Sequence, residues 1–589
     1  MTRAPTSYHR AVPTAAALIL LAGCVSPLQE ASTETLRESV RESAARELRP
    51  STDRPEPVDL VRQPGELSFP PERLQELERM AGPTAYEPGV PPLSPGLPDE
   101  VDLPVRMSLQ QAVLRAIEHN LGVQSARIDP AIAEAQVVAA RAAFDWVFFG
   151  NVEWSSVDEP QLTPQVGGVN VGTSSRVNQS VGYTTGIRKQ LTSGGNLSIS
   201  QGQTYLDNRD TGTQFSPDPS NRAELNIAYD QPLLRGFGSD VALAEVRLAQ
   251  NTERRSVEEY RRTLIATVTE VERAYWDLVQ AQQNLKIFIR LLERGVETRD
   301  VLKSRLAFDV KPAEFSDAVA TVERRRANVI RATNTLRQQS DRLKALINDP
   351  DLTVGSDALI DPADNTLDAP VAVSLYDSLT TALANRPEVQ IAILSIDDAS
   401  IRQTVADNAR LPLLDLSFAA QFQGLDRDVG DAYSDVGSAR FVDLLLGAVF
   451  EQPIGNRAAE AQFRQRQLER MQSAVGYRRT VQDIALEVRT ALRNLSTNYR
   501  LIEQTRTARL AAAENLRTLL VQEQTIQSLT PDFLDLKFRR QEALAAAEGD
   551  EVQALADYSI ALAELHRATG TALERNRVRF VVPDAGARR

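Results

Sequence analysis

This chain of 589 residues has one cysteine, three histidines and three tryptophans, and aromatic residues make up only 5% of it. Each scarcity excludes something. His9, His119 and His566 have no cysteine nearby and cannot assemble a zinc or copper site at normal ligand spacing, so no metal and no other cofactor is expected. A formal charge of -13 without a Lys and Arg cluster argues against nucleic acid, because phosphate neutralisation needs a basic face. No nucleophile–base constellation or phosphate loop stands out. No catalytic residue is expected, and the chain does not read as an enzyme. The one leading apolar run, residues 15–22, is too short to span a bilayer.

The single cysteine closes that run. Arg3, His9 and Arg10 precede it and "LAGC" ends it at 21–24, so residues 1–23 read as a signal peptide. "LAGC" resembles the bacterial lipobox, in which cleavage precedes the cysteine and its sulfur receives a diacylglyceryl group. The resemblance implies lipidation at Cys24 and, with Val25 where a retention signal would often show Asp, sorting to the outer membrane. The alternative is an ordinary signal peptide with a chance cysteine. Residues 24–107, rich in Pro, Glu and Arg, read as an extended tether with a short helix around 71–80.

From residue 108 the chain repeats itself. "SLQQAVLRAIEHNLGVQSA" at 108–126 is echoed by "SLYDSLTTALANRPEVQIA" at 374–392, and "YDQPLLRGFGSD" at 229–240 by "FEQPIGNRAAE" at 450–460. Two copies of one unit therefore span 108–348 and 374–575, joined by a linker at 349–373 and followed by a tail at 576–589.

Within each copy the period changes. Around 145–154 and 413–422 it is two: Trp146, Phe148, Val152 and Trp154 oppose Asp145, Asn151 and Glu153, with Phe149 the exception, and Leu414, Leu416, Phe418 and Ala420 oppose Asp415 and Ser417. A second alternating strand ends each segment, so strand pairs are predicted within 145–231 and 413–451. An additional hairpin around "SGG", within 182–200, either joins the sheet or projects from it.

After each Gln-Pro motif the period turns helical. Val257, Leu264, Val271, Leu278, Leu285 and Leu292 fall seven apart, as do Val481, Val488, Leu495 and Ile502, which predicts coiled-coil helices over 239–310 and 456–530. Roughly 70 residues at 1.5 Å each make a helix of about 100 Å. Half-length helices at 313–348 and 531–569 return from Pro-containing turns, and single half-length helices are expected at 108–143 and 374–410. The Gln-Pro stretches are strand-to-helix junctions: Gln231, Pro232, Gly236 and Gly238 in the first copy, Gln452, Pro453 and Gly455 in the second. Pro232 is expected to end pairing and Ser239 to cap the helix.

Such helices suit either a solvated coiled-coil rod or a tube. Strands with one apolar and one polar face favour a closed barrel with lipid outside and water inside. The order and duplication of "SLQQAVLRAIEHN", "YDQPLLRGFG", "VERAYWDLVQAQ" at 271–282 and "ALAELHRATG" at 561–570 resemble the TolC-type outer-membrane efflux channels, lipoprotein branch, over 108–575. The fold so implied is mainly α with a β-barrel part, a two-fold internal repeat forming a trimeric channel. In that family three protomers supply a twelve-strand barrel and a twelve-helix periplasmic tunnel. The implied function is the passive outer-membrane duct of an efflux or type I secretion system, working with a periplasmic adaptor and an inner-membrane transporter. The rival is a lipid-anchored envelope scaffold without a pore.

The same resemblance puts adaptor docking at the helix tips, on Asp309, Val310, Lys311, Pro312, Ser528, Leu529, Thr530 and Pro531. It places the first acid of a periplasmic constriction at Asp535 and the second at Phe538, where this chain lacks an acid. Asp535 also reads simply as a helix-start charge favouring the dipole.

Overall fold

The computed structural model describes residues 33–49, 56–62, 67–82, 85–87, 89–91, 93, 103–160, 162, 165–170, 175–209, 215–306, 310–524 and 530–581. The expected signal peptide, Cys24, and the tip residues Asp309, Ser528 and Leu529 lie outside these. Two compact units emerge, one built on Phe144–Ala244 and Ile396–Gly476, the other on Ser43–Ala143, Glu245–Ser395 and Tyr477–Arg589.

Helices α1 (Pro71–Ala81), α2 (Leu109–His119) and α3 (Leu121–Arg141) precede the long α4 (Ala244–Arg305), and α5 (Pro312–Ile347) follows it. The second copy holds α6 (Leu375–Asn385), α7 (Pro387–Asn408), a short α8 (Val429–Gly437), the long α9 (Arg457–Glu523) and α10 (Pro531–Thr569). Heptad spacing made α4 and α9 legible, and their seam is dry except at Val257 and Leu292, which are half-buried. Leu264, Val271, Leu278, Leu285, Val481, Val488, Leu495 and Ile502 are at most 2% exposed. Each such burial contributes roughly 1.5–3 kcal/mol. Gly295, the one glycine of α4, makes room for a cation: a Cβ there would lie 2.9 Å from Nη1 of Arg325. Buried Arg325, on α5, donates to Leu291 O (3.0 Å) and Gln541 Oε1 (2.8 Å), fastening α5 to α4 and α10.

The single half-length helices expected at 108–143 and 374–410 are each two helices. Ser108 and Ser374 cap the first of each pair, accepting from Gln111 N (3.3 Å) and Asp377 N (3.2 Å). The break falls at the same repeat position, for different reasons. Asn120 stays extended because its side chain accepts from Val123 N (3.1 Å) and donates to Leu346 O (2.8 Å). Arg386 stays extended because Pro387 follows it, and its guanidinium binds Glu487 (2.9 Å) and Glu388 (2.9 Å).

The returning helices start on their predicted signals. Thr530 Oγ1 accepts from Phe533 N (3.3 Å), and Lys311, a poor cap by itself, gives its N–H to Glu314 Oε2 (3.1 Å). At the other end of α10, Gly570 takes the left-handed conformation at φ 73°. His566 Nδ1 lies 2.9 Å from Thr571 Oγ1, and its Nε2 accepts from Arg575 Nη1 at 3.0 Å. Burial, helped by Arg575, pushes the imidazole pKa down to about 4. An unfolded histidine titrates near 6.5, so its stabilising contribution is complete above that pH and is lost progressively as pH falls towards 4. The loss is up to about 2–3 kcal/mol, and acid unfolding midpoints should lose this component in His566→Gln.

The expected tether is not a free linker. Val58–Asp59 pairs antiparallel with Ala372–Val373, and Leu103–Met107 pairs parallel with Ala358–Pro362, so the linker between the repeats is a docking strip for the N-terminal segment. Leu77 and Ala81 of α1 are buried in a cluster with Ala513, Leu516 and Leu544. Composition hid this because the adhesion is ionic: Arg509 Nη2 meets Glu78 Oε1 (2.8 Å), Arg517 meets Glu76 (2.7 Å), and Arg62 pairs with Asp368.

In the other unit, β1 (Val147–Pro160), β2 (Ser175–Gln190), β3 (Asn196–Asn208), β4 (Ser220–Pro232), β5 (Leu413–Asp426) and β6 (Phe441–Glu451) form one antiparallel sheet in the order β6-β5-β4-β3-β2-β1. The SGG hairpin is β2 and β3, inside this sheet rather than projecting from it. Among the described residues this sheet thus holds six strands, where a twelve-strand trimeric barrel would take four from each chain.

Candidate functional site

The register sorts every side chain of the sheet onto one of two faces. One row across all six strands reads Phe148, Ile187, Ile199, Ile227, Ala420, Leu444. The adjacent row, on the opposite face, reads Phe149, Gly186, Ser200, Asn226, Gln421, Asp443. Phe149 is the exception noted in the sequence, and Arg188 compensates it, with its guanidinium 5.9 Å from the ring.

The apolar face is open except at Ala223 and Ala420, which are buried. Phe148, Leu444 and Leu446 are 74%, 72% and 74% exposed. Aromatic side chains mark both of its ends: Trp146, Tyr229 and Phe450 near the helices, Trp154, Tyr183 and Tyr205 near the far loops. Eight residues separate Trp146 from Trp154, about 26 Å along a strand and about 20 Å in height at a tilt of ~40°. Lys189 Nζ sits 5.2 Å from the Trp146 ring. At the far end α8 lies on this face. Ala432 O would be 1.9 Å from a Cβ on Gly424, and Tyr433 OH lies 2.9 Å from Tyr183 OH and bonds the Gln201 amide, a polar interruption of the apolar side.

The junction residues form a locked corner. Gln231, which is buried, accepts on Oε1 from Ser193 Oγ (2.8 Å) and Tyr229 OH (2.7 Å) and donates from Nε2 to Pro232 O (2.9 Å). Pairing outlasts Pro232 by two bonds, Leu233 N to Leu414 O at 2.7 Å and Arg235 N to Pro412 O at 3.3 Å, because the residues after the proline still have their N–H groups. Gly236 and Gly238 have φ of 87° and 100°; Gly238, not Ser239, holds the cap position of Ser239–Ala242. Gly236 N donates to Asn408 Oδ1 at 2.7 Å. In the second copy Pro453 follows the end of β6, Gly455 has φ 88°, Gln452 Nε2 reaches Pro453 O at 3.5 Å, and Asn456 Nδ2 donates to Arg410 O at 2.9 Å. Both junctions therefore converge on the turn at 408–410. Asn408 carried no motif signal in the sequence.

The inner turn of the SGG hairpin is part of the corner. Gly238 N donates to Ser193 O (3.0 Å), and a Cβ on Gly194, at φ 93°, would lie 2.2 Å from Gly236 O. Gly194→Ala combines left-handed backbone with a clash against main chain. It should cost at least about 1–2 kcal/mol, seen as a lower temperature for loss of the folded form on unboiled gels.

At the helix tips, Val310 is buried with Leu302, Ala318 and Leu534, and Phe538 packs against this cluster with Arg325 5.3 Å from its ring. Lys311, Pro312, Thr530 and Pro531 are exposed. Asp535 is exposed and ion-paired with Arg539 one turn on. Among the described residues no group of His, Cys, Asp and Glu could hold a metal, and no helix is long and apolar enough to cross a membrane.

No protein-family model matches the chain, and no curated protein matches it in sequence. Solved structures do match in fold. The Campylobacter jejuni CmeC outer membrane channel aligns with a TM-score of 0.56 at 16% identity, over 79% of this chain and 86% of that one. The open state of the Neisseria gonorrhoeae MtrE outer membrane channel gives 0.54 at 18%, over 79% and 89%. The outer membrane protein VceC of Vibrio cholerae gives 0.53 at 15%, over 78% and 96%.

Proposed function

We propose that this chain, which has the fold of the TolC-type outer-membrane channels, is itself an outer-membrane efflux duct. The observation that carries the reading is the two-faced sheet: an exposed apolar face bounded by aromatic residues at both ends, backed by a polar one. In water an apolar surface of this extent is a liability. Against lipid it is what a transmembrane strand requires, and its ~20 Å height approaches the roughly 25 Å apolar band of such barrels.

Among the described residues the outer edges of β1 and β6 are unpaired, which demands closure through further copies, and three is the number the family resemblance implies. The duct is passive and works with a periplasmic adaptor and an inner-membrane transporter. Lys311, Pro312, Thr530 and Pro531 are the described candidates for adaptor docking, Asp535 is the candidate constriction acid, and Cys24 is the lipid anchor. The full chain, reconstituted in planar bilayers, should conduct ions and run as a heat-modifiable trimer on gels. A purely monomeric, non-conducting protein would overturn the proposal.

A further inference from the structure

We infer that the β2–β3 hairpin widens the barrel to eighteen strands, six from each of three copies, so that the membrane pore admits polar solutes too bulky for a twelve-strand barrel. The inference rests on the trimeric-channel reading above and adds the pore's size to it.

Four observations carry it. Without β2 and β3, β1 and β4 would form a simple antiparallel pair like β5 and β6 in the second copy; the insertion adds two strands, so it leaves the direction of every other strand intact. The inserted strands are full members of the sheet, 16 and 13 residues long beside neighbours of 14 and 13, and each is paired along nearly its whole length on both sides. They keep the register of the sidedness: Val181, Tyr183, Ile187, Leu197 and Ile199 extend the apolar face, interrupted by Thr185, Gln201 and Gln203, and a hairpin projecting into water would not need that apolar set. Their inner turn is pinned to the strand-to-helix junction through Ser193 and Gly194, so the pair begins where the other strands begin.

Outward of Arg188 the opposite face of the pair is made mostly of small side chains, among them Gly182, Thr184, Gly186, Ser198, Ser200 and Gly202, which project little into a lumen. Barrel diameter grows with strand number: at a ~4.8 Å spacing and ~40° tilt, twelve strands give about 24 Å between opposite backbones and eighteen about 36 Å. The cross-section rises about 2.3-fold, into the range where barrels hold a broad aqueous channel.

The test is a set of distances between equivalent sites of the assembled full-length protein. Spin labels are attached at Ser417→Cys, on the polar face of β5, and separately at Leu416→Cys, on the apolar face, and pulsed dipolar spectroscopy is run on each. Averaging the two removes the label arm. Eighteen strands predict a single backbone separation of about 31 Å between protomers, and twelve predict about 21 Å. A value near 21 Å overturns the widened barrel while leaving the channel intact. The absence of any inter-protomer distance defeats the trimeric-channel reading itself, and this inference with it. Independently, charged thiol reagents should modify Ser200→Cys and spare Ile199→Cys in liposomes; equal modification of the two would place the hairpin in water and overturn the inference.

Discussion

Leu444→Arg is expected to destabilise the assembled protein by roughly 2–4 kcal/mol, whereas Leu445→Arg, one residue on, is expected to change it by less than about 0.5 kcal/mol. Within one chain the two positions look alike, at 72% and 63% exposed. A soluble scaffold would therefore tolerate both. They differ in the face they occupy: Leu444 lies in the row of Ile227 and Ala420, and Leu445 sits opposite Ala419 on the polar side. If the apolar face meets hydrocarbon, a guanidinium near mid-strand must be desolvated or must drag water inward, while on the lumen side it stays hydrated. The readout is the temperature at which the folded trimer is lost on gels, together with the yield in the membrane fraction. Equal tolerance of both substitutions would leave the sheet without a lipid-facing side.

Arg509→Met should be the most damaging single change in the helical unit, at about 3–5 kcal/mol, because it strands a buried carboxylate. Arg509 is 2% exposed; its guanidinium bonds Glu551, Glu78 and Ala81 O, and Glu551 is itself 3% exposed. Arg506, 3.0 Å from Glu551, is shared with Asp368 and only partly compensates. The change should also free the N-terminal segment, so protease should cut around 71–87 much faster than in the parent. Adding Glu551→Leu should recover part of the loss, since an apolar pair at a buried site costs less than one orphaned charge. A nearby carboxyl sets a pH signature for the same strap. Burial raises the pKa of Glu548 against the opposing effect of the hydrogen bond it accepts from Tyr86 OH at 2.7 Å, so its contribution to stability is present at low pH and is lost as pH rises through that raised value, where the buried carboxyl must charge.

Periodic features were legible in the sequence. The heptads marked α4 and α9, the alternation marked the sheet faces, and the duplicated Gln-Pro stretch marked two corners that both prove to hinge on left-handed glycines. What depended on partners distant in sequence was not. Asn120 breaks a helix through a bond to Leu346 that no local pattern announces, although the Arg386–Pro387 break at the equivalent position was written in its proline. The docking of α1 was masked by a polar composition whose charges find their partners more than 400 residues away. The SGG hairpin could not be assigned because alternation is the same in a projecting hairpin as in a barrel strand; the register against β1 and β4 is what placed it in the sheet. The docking and constriction roles of the tips depended on resemblance alone, and the structure sets the candidates apart: Val310 is buried while Lys311 beside it is exposed.

The central claim is that this sheet is a membrane wall with lipid on one side and water on the other. Single-cysteine fluorescent labels placed in turn from Phe441 to Phe450 in the reconstituted full-length protein test it directly. The account predicts strict alternation: a lipid-phase quencher reaches Val442, Leu444, Leu446, Ala448 and Phe450, and an aqueous quencher reaches the residues between them. Uniform aqueous quenching along the strand would contradict it.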